Sequence, residues 1–459
     1  MEQEPVVIIG AGYIGLTLGL FIASRRNSVL VFDTDAEKIE RLQHGDSTIY
    51  EEDVREALST ARQSGSLHFS VQPPAQGARC WVIAVPYLPS ELCEDSADRY
   101  LRCLQPIRGA GSSPPLVMIR STVPVGFTRS KIGPRLTELL GEPLDTGFFL
   151  TVCPERTLTG KAIQELSSIP QLVGGSRASV AQTLPILERF GFSCTALESF
   201  EAAELGKAFC NLSRFAQFNF SNFLGLCCER FGVNTHELIR ALENHYPRLN
   251  LSTPGPGVGG SCLPKDSLVL MDGLTKPFSQ QEVWNYPRQQ YQVNEEVIAC
   301  VAQAVVDFTR PRAACPVLAL GIAFKGFPRT DDTRNSVGRK IVEALLRNRV
   351  DVRVHDLTVS VSSIKALGFQ PACCPIDPAA YSSILLLNND PAYLELLRSG
   401  LSPNTMGAVG LYDPWRLLLT DSPTLFAGAV PLSKLYEQLQ ARIAAKGTGE
   451  ALLNQALGR

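Results

Sequence analysis

Short apolar runs alternate with helix-like segments over the first 195 residues of the chain. Val6–Ile9, Val29–Phe32, Trp81–Val85 and Leu116–Ile119 have the length and apolarity of buried strands, whereas Ile14–Arg25 predicts a helix. Buried strands that alternate with helices are typical of a parallel sheet covered on both faces. The pattern predicts an α/β domain over residues 1–195.

The pattern changes after this domain and then returns. Residues 199–243 contain few glycines and no proline, and their apolar positions recur at helical spacing, which predicts a long central helix and a partner within a helical domain over 196–305. A second strand and helix series follows, with strands at Val317–Phe324 and Val352–His355 and a helix at Val337–Arg349. We therefore expect an α/β fold with two doubly wound domains, 1–195 and 306–445, joined by the helical domain, and a flexible tail over 446–459.

Composition narrows the class of protein. The chain has 459 residues, 45% of them hydrophobic and 19% charged, as expected of a globular protein of two or three domains. A net charge of -2 gives no field that favours nucleic acid or a membrane as partner. No signal peptide and no membrane-spanning stretch is apparent, so we expect a cytoplasmic protein. The 13 cysteines are odd in number, scattered and without a CxxC pair, which favours reduced thiols over disulfides or a metal site.

A glycine-rich turn follows the first strand and precedes the first helix, with the sequence GAGYIG over residues 10–15. Such a turn lets the backbone approach a pyrophosphate, and the helix N-terminus adds free N–H donors. Asp33 ends the next strand, at the distance expected of an acid that binds ribose hydroxyls and would repel a 2′-phosphate. The combination predicts a Rossmann-like site for NAD; the alternative is a structural turn beside a surface Asp.

A cysteine lies in the most unusual segment of the chain, GVGGSCLPKD over residues 257–266. The glycines leave Cys262 open to a substrate, and Lys265 would favour the nucleophilic thiolate. The alternative is a buried structural cysteine.

Three further polar residues are candidates for the site. Lys207 and Asn211 lie one helical turn apart, where an ammonium and an amide can stabilise a developing oxyanion; the alternative for Lys207 is a solvated surface position. Glu155 follows an apolar run, where a carboxylate could activate water, although a surface acid would give the same pattern.

Together these segments resemble the UDP-glucose/GDP-mannose dehydrogenase family of nucleotide-sugar 6-dehydrogenases from about residue 5 to residue 420. The matching segments are GAGYIG, STIYE (47–51), STVPVG (121–126), CPER (153–156), KAFCN (207–211), PRLN (247–250), PGPGVGGSCLPKD (254–266), and GIAFK with TDDTRNS (321–336). The resemblance implies a four-electron oxidation of a sugar C6 alcohol to the uronate, with Cys262 forming first a thiohemiacetal and then a thioester.

The resemblance also implies roles for individual residues. It implies that Lys207 and Asn211 stabilise the oxyanion, while the hydrolytic water is placed by Glu155, Asp266 and Thr122. Cofactor contacts are implied for Gly10, Gly12, Tyr13, Ile14, Gly15, Asp33, Lys38, Pro86, Thr122 and Arg334. Substrate contacts are implied for Glu155, Arg156, Lys207, Asn211, Arg248, Gly259, Lys265, Lys325 and Arg416. Since Arg248 resembles a residue that enters the neighbouring subunit's site, a homodimer or higher oligomer is implied, with NAD as cofactor, a UDP-sugar as substrate and no metal.

Some positions depart from the family pattern. Tyr87, Leu88 and Pro89 follow Pro86 where the family has Thr-Pro, and about two extra residues lie within Gly326–Arg329. The spacing before Arg416 is also shifted.

The segments near Glu155 and Arg248 favour a UDP-N-acetylhexosamine, UDP-ManNAc or UDP-GlcNAc, as substrate, whereas SCLPKD is closer to the UDP-glucose and GDP-mannose enzymes. Two alternatives from other classes are a two-electron β-hydroxyacid dehydrogenase and an inactive NAD-binding regulatory subunit.

Overall fold

The structure is a computed structural model, and it describes residues 5–47, 49–74, 78–109, 114–274, 282–312, 315–400 and 409–415. These residues form two compact units. The first unit contains the residues up to Ser213 and the segment Lys265–Gln289. The second unit contains the segment Arg214–Pro264 and the residues from Gln290 onward. The division of the chain into three domains stays a prediction.

The first unit contains an eight-stranded sheet in the order β3-β2-β1-β4-β5-β6-β7-β8. Its strands are β1 (Val6–Ile9), β2 (Val29–Phe32), β3 (Leu67–Ser70), β4 (Cys80–Ile83), β5 (Leu116–Ile119), β6 (Phe149–Val152), β7 (Gln171–Gly175) and β8 (Cys194–Leu197). The first six are parallel and follow the strand order of a dinucleotide-binding domain, while β7 is antiparallel to β6. The predicted Rossmann-like sheet is confirmed.

Helices cover both faces of this sheet, so its central strands are buried on both sides. The helices are α1 (Tyr13–Ala23), α2 (Ala36–His44), α3 (Glu52–Ser64), α4 (Ser96–Arg102), α5 (Gly133–Leu140), α6 (Ala162–Ser168) and α7 (Arg177–Arg189). Along β1, Val6 and Ile8 pack into one core cluster and Val7 and Ile9 into the other. This explains why the strand is an unbroken apolar run rather than an alternating one.

A 32-residue helix, α8 (Phe200–Phe231), follows the first sheet and is joined to α9 (Thr235–Glu243). Asn234 caps α9 by accepting hydrogen bonds from the amides of His236 and Glu237. The predicted long helix and its partner are confirmed. Two more helices follow, α10 (Leu263–Leu274) and α11 (Tyr286–Thr309). None of the helices in the described ranges combines the length and apolarity that a membrane crossing needs.

The second unit contains a parallel four-stranded sheet in the order β10-β9-β11-β12. Its elements are β9 (Val317–Leu320), α12 (Val337–Arg347), β10 (Val352–His355), α13 (Val361–Ala366), β11 (Ser383–Leu386), α14 (Ala392–Gly400) and β12 (Gly410–Tyr412). The expectation that the first of these strands reaches Phe324 is wrong at its end. Gly321, at φ +92°, turns the chain there and donates its N–H to the carbonyl of His355.

Candidate active site

The glycine turn between β1 and α1 has the geometry of a pyrophosphate cradle. Gly10 has φ +105°, and a Cβ placed on Gly15 would lie 1.9 Å from the carbonyl oxygen of Gly10. Gly12 is the N-cap of α1 and makes no side-chain capping bond, so the N-terminal amides of the helix face the turn uncapped. Tyr13 and Ile14 occupy the first turn of α1. Three glycines at these positions therefore keep the turn tight and its surface open.

An adjoining cleft of about 420 Å³ lies beside the carboxyl ends of β1 and β2, lined by Gly10, Phe32, Asp33, Thr34, Val85 and Arg102. Asp33 accepts a hydrogen bond from the amide of Ala11 (2.8 Å) and forms an ion pair with Lys38 (3.2 Å). A carboxylate at this position is suited to ribose hydroxyls. The cradle and the cleft therefore fit a dinucleotide without a 2′-phosphate.

Glu155 follows β6 and is buried against Arg120, which follows β5. Its Oε2 accepts a hydrogen bond from Arg120 (2.6 Å), and its Oε1 accepts from the amides of Arg156 (2.7 Å) and Thr157 (2.8 Å). Burial would raise the pKa of the Glu155 carboxyl, but the Arg120 guanidinium and the amide of Thr157 hold it below its usual range. Glu155 is therefore a fixed carboxylate, and Arg120 is a partner that the sequence reading missed.

A hydrogen-bonded chain joins α8 to the start of α10. Asn211 donates its Nδ2–H to Asp266 Oδ2 (2.6 Å), and Lys265 Nζ donates to Asp266 Oδ1 (2.7 Å). The structure thus brings Asn211, Lys265 and Asp266 together. Lys207 is 9% exposed, and its ammonium makes no hydrogen bond or ion pair with any residue in the described ranges. An ammonium in this state is available to an oxygen of a bound molecule.

The STVPVG segment, which carries Thr122, is fastened to α8 by a residue that the sequence reading did not single out. Glu204, one turn before Lys207, accepts hydrogen bonds from the amides of Gly126 (2.6 Å) and Thr128 (3.1 Å). Burial raises the pKa of the Glu204 carboxyl. Glu204 therefore fixes the position of this loop relative to the helix that carries Lys207 and Asn211.

The glycine-rich loop that precedes Cys262 is held by asparagine side chains of the second unit. Asn222 accepts a hydrogen bond from the amide of Gly255 (2.8 Å), and Asn294 accepts one from the amide of Val258 (2.8 Å). Cys262 itself is exposed, with Ser261 Oγ at 3.9 Å from its sulfur. The alternative of a buried structural cysteine does not hold. These asparagines lie far from the loop in sequence, so no local motif indicated them.

Other predicted site residues of the second unit are placed as follows. Arg334 pairs with Asp332 (2.7 Å), which raises the pKa of Arg334 against the effect of burial, and Cys262 acts in the same direction as Asp332. Lys325 lies over the Phe324 ring (5.5 Å), and exposed Arg248 lies over the Tyr246 ring (4.9 Å). Gly259 faces Asn335, Ser336 and Val337. Arg416 lies outside the described residues.

Two of the segments that depart from the family pattern are anchored by carboxylates. After the exposed Pro86, Tyr87 Oη (3.3 Å) and the amide of Ser90 (2.8 Å) donate to Asp272 on α10. In the second unit, Arg329 binds Asp390 through two hydrogen bonds (2.6 and 3.1 Å). Each departure therefore has its own set of contacts within its unit.

The remaining predicted residue near Glu155 is Arg156, which is half-buried and donates to the carbonyl of Pro170. Gly160, at the end of the same loop, donates its N–H to Tyr13 Oη (3.0 Å) and Glu51 Oε1 (2.6 Å). The loop is thus tied to the first turn of α1.

Comparison with known proteins gives consistent matches. Residues 4–188 match the NAD binding domain of the UDP-glucose/GDP-mannose dehydrogenase family, and residues 201–295 match its central domain. The UDP-N-acetyl-D-mannosamine dehydrogenase of Pyrococcus horikoshii is 30% identical over 362 residues, which cover 76% of this chain and 83% of that protein. The Escherichia coli K12 protein of the same name is 30% identical over 364 residues, covering 75% of this chain and 83% of that protein.

The fold is also shared with a solved structure. That of the UDP-D-ManNAc dehydrogenase from Pyrococcus horikoshii superposes with a TM-score of 0.73 at 26% identity, covering 86% of this chain and 93% of that one. The first domain match spans the glycine turn and Asp33, and the second spans the segment that contains the Cys262 loop. The chain belongs to the UDP-glucose/GDP-mannose dehydrogenase family and is an NAD-dependent nucleotide-sugar dehydrogenase.

Proposed function

We propose that the protein oxidises the C6 alcohol of a UDP-N-acetylhexosamine to the uronate through a thioester on Cys262. The observation that carries this proposal is an exposed cysteine at the end of a glycine loop whose backbone is held by buried side chains. Alcohol, two NAD⁺ and water give carboxylate, two NADH and three protons, so electrons and atoms balance. The glycine turn and Asp33 of the first unit would hold NAD, which would supply the hydride acceptor for each of the two oxidations.

The first role of the protein is to stabilise negative charge on the reacting oxygen. Lys207 is buried and has no ion-pair partner among the described residues, so its ammonium is suited to an alkoxide or oxyanion. The Asn211 amide has a second N–H besides the one it donates to Asp266. We assign both residues to the oxygen attached to C6.

Covalent capture keeps the aldehyde from leaving between the two oxidations. The Cys262 sulfur adds to the aldehyde carbon, and loss of a hydride from the resulting thiohemiacetal leaves the thioester. Water then displaces the sulfur and releases the acid. Glu155 remains ionised because of Arg120, so it is suited to orient this water as an acceptor, together with Asp266 and Thr122.

The acetamido sugar is supported by two lines of argument. Two relatives at 30% identity are named UDP-N-acetyl-D-mannosamine dehydrogenases, and CPERTLTGKA and PGPGVGG resemble the segments of such enzymes. UDP-ManNAc is our first choice and UDP-GlcNAc the second. SCLPKD keeps UDP-glucose and GDP-mannose as alternatives. We assign the nucleotide to the second unit, with Lys325, Arg248 and Arg416 as contacts.

We infer that two copies of the chain pair through α8. Phe209, Phe220 and Phe223 are 55%, 59% and 56% exposed and lie on one face of this helix. Exposed aromatic side chains in a row mark a protein contact rather than a solvated surface. A homodimer would also provide a neighbouring subunit whose substrate site Arg248 can enter.

A panel of UDP- and GDP-sugars, scored by NADH fluorescence, tests the substrate. We expect the highest kcat/KM with UDP-ManNAc; a preference for UDP-glucose above tenfold would overturn the assignment of the sugar. The Cys262→Ala variant should bind NAD normally and form no acid. Absence of turnover with every nucleotide sugar would favour a regulatory subunit.

A further inference from the structure

Asn294 makes a two-way contact with one residue of the Cys262 loop. Its side chain lies in α11 and is fully buried. The Oδ1 atom accepts a hydrogen bond from the amide of Val258 (2.8 Å), and the Nδ2 group donates to the carbonyl of the same residue (3.0 Å). The side-chain amide thus pairs with Val258 as the backbone of a neighbouring strand would.

Asn335 makes a similar contact two residues further along. Its Nδ2 group donates to the carbonyl of Gly260 (3.3 Å), and its own carbonyl accepts from the amide of Gly260 (3.2 Å). Asn335 has φ +50°, a conformation that asparagine tolerates better than most residues. Gly259 lies between the two contacts, and a Cβ there would be 2.9 Å from the Asn335 carbonyl oxygen.

The loop needs such contacts because of its composition. Gly257, Gly259 and Gly260 have wide conformational freedom, and fixing the backbone of a residue costs about 1–2 kcal/mol. Four hydrogen bonds to Val258 and Gly260 offset part of this cost before a substrate arrives. Displacing a nucleophile by about 1 Å can lower the reaction rate by a factor of about 100, so a mobile loop would slow catalysis.

We propose that Asn294 and Asn335 are positioning residues that clamp the backbone before Cys262 and thereby set the position of its sulfur. The inference rests on the proposed function, in which Cys262 is the nucleophile. Neither asparagine touches the reacting atoms in this proposal. Both act through Val258 and Gly260.

Hydrogen exchange of the full-length protein tests the clamp without reference to activity. In Asn294→Ala, amides in the peptide that covers residues 255–262 should exchange about tenfold faster, the effect of losing hydrogen bonds worth about 1.4 kcal/mol. Asn219→Ala is the matched control. Asn219 is also buried and donates to the carbonyl of Gln290 in α11 (2.8 Å), and among the described residues no hydrogen bond joins its side chain to residues 255–262. Equal exchange of the 255–262 peptide in both variants would overturn the clamp.

Steady-state kinetics test its consequence for catalysis. Asn294→Ala should lower kcat about tenfold or more while the KM for NAD stays within about twofold. If that variant does not fold, Asn294→Asp keeps an acceptor for the amide of Val258 and loses the donor to its carbonyl, so a smaller change in the same direction is expected. Unchanged kcat in the variant that folds would contradict the positioning role.

Failure of the clamp and failure of the proposed function give different results. If Cys262→Ala still forms acid over many turnovers, Cys262 is not the nucleophile, whatever the exchange data show. If Cys262→Ala is inactive and Asn294→Ala exchanges like wild type, only the clamp is wrong.

Discussion

Buried polar side chains lie beside almost every residue to which we assign a chemical role. Arg120 holds Glu155, Glu204 holds the loop of Thr122, and Asn294 holds the loop of Cys262. Burying a polar group is costly unless it is hydrogen-bonded, and each of these side chains is hydrogen-bonded to the residue or loop that it holds. These hydrogen bonds restrain Glu155 and the two loops, each within its own unit.

Lys207 is the residue whose loss should affect the rate most directly. Lys207→Ala should lower kcat by about 10²–10³-fold, as removal of an oxyanion stabiliser does, with little change in the stability of the fold. Stopped-flow measurement of NADH formation checks this. Lys365→Ala, at an exposed position of α13, is the control and should keep the normal rate. A near-normal rate in Lys207→Ala would remove this residue from the site.

The Glu155 carboxyl should make the stability of the fold depend on pH. Because its pKa is lower in the folded protein than in the unfolded chain, its contribution is present above the unfolded pKa of about 4.3 and is lost as pH falls through the folded pKa. Urea unfolding should therefore show wild type losing its advantage over Glu155→Gln on acidification below about pH 4.

Glu40→Gln, on the exposed surface of α2, measures the effect of removing an exposed carboxylate. A difference in the free energy of unfolding between wild type and Glu155→Gln that stays constant from neutral pH to about pH 3 would speak against the ion pair with Arg120.

For helices and strands, local sequence patterns predict the boundaries of an element, whereas its pairing depends on residues that are distant in sequence. The boundaries of β1, β2 and β5 could be read from the sequence because each is an unbroken apolar run, and those of β10 because two valines alternate with polar residues before Asp356. The antiparallel β7 could not, since its direction depends on which strand it pairs with. The support of Val258 by Asn294 spans 36 residues of sequence, and that of Gly260 by Asn335 spans 75.

The site follows the same division. Cys262, Lys207, Asn211 and Asp266 could be proposed from the sequence because each belongs to a short motif, and their roles stay predictions. Arg120 and Glu204 were not, because their partners Glu155 and Gly126 lie 35 and 78 residues away. Long-range hydrogen bonds leave no periodic signal in a single sequence.

Glu204 offers a test of how α8 holds the neighbouring loop. Glu204→Ala should cost about 1–3 kcal/mol in the free energy of unfolding, because the amides of Gly126 and Thr128 lose their acceptor. Glu201→Ala, one turn earlier, removes the acid of an ion pair with exposed Arg129 and should cost less than about 1 kcal/mol. Equal losses in chemical denaturation would show that Glu204 is not the anchor.

In the molecule as a whole, the two units share one local arrangement of a glycine turn and an acid. In the first, Asp33 accepts from the amide of Ala11 (2.8 Å) after a turn at Gly10; in the second, Asp356 accepts from the amide of Ala323 (2.9 Å) after a turn at Gly321. Both units therefore carry a strand, a left-handed glycine and an acid at the end of the next strand. The repeat adds support to our proposal that NAD binds the first unit and the nucleotide of the sugar binds the second.

The proposed homodimer is tested by mutation of the exposed face of α8. Phe220→Glu with Phe223→Glu should convert a particle with the mass of two chains to one with the mass of one chain, because the charges would be buried unpaired. Light scattering after gel filtration measures this. Val361→Glu, at an exposed apolar position of α13, is the control. A wild-type protein that is monomeric at micromolar concentration would contradict the proposal.

The number of NADH molecules formed for each nucleotide sugar consumed tests the central claim most directly. With a limiting amount of UDP-ManNAc and excess NAD, we predict two NADH for each sugar and a product that carries a carboxylate at C6. One NADH for each sugar, with a ketone or free aldehyde as the product, would contradict the four-electron oxidation and would favour a two-electron β-hydroxyacid dehydrogenase.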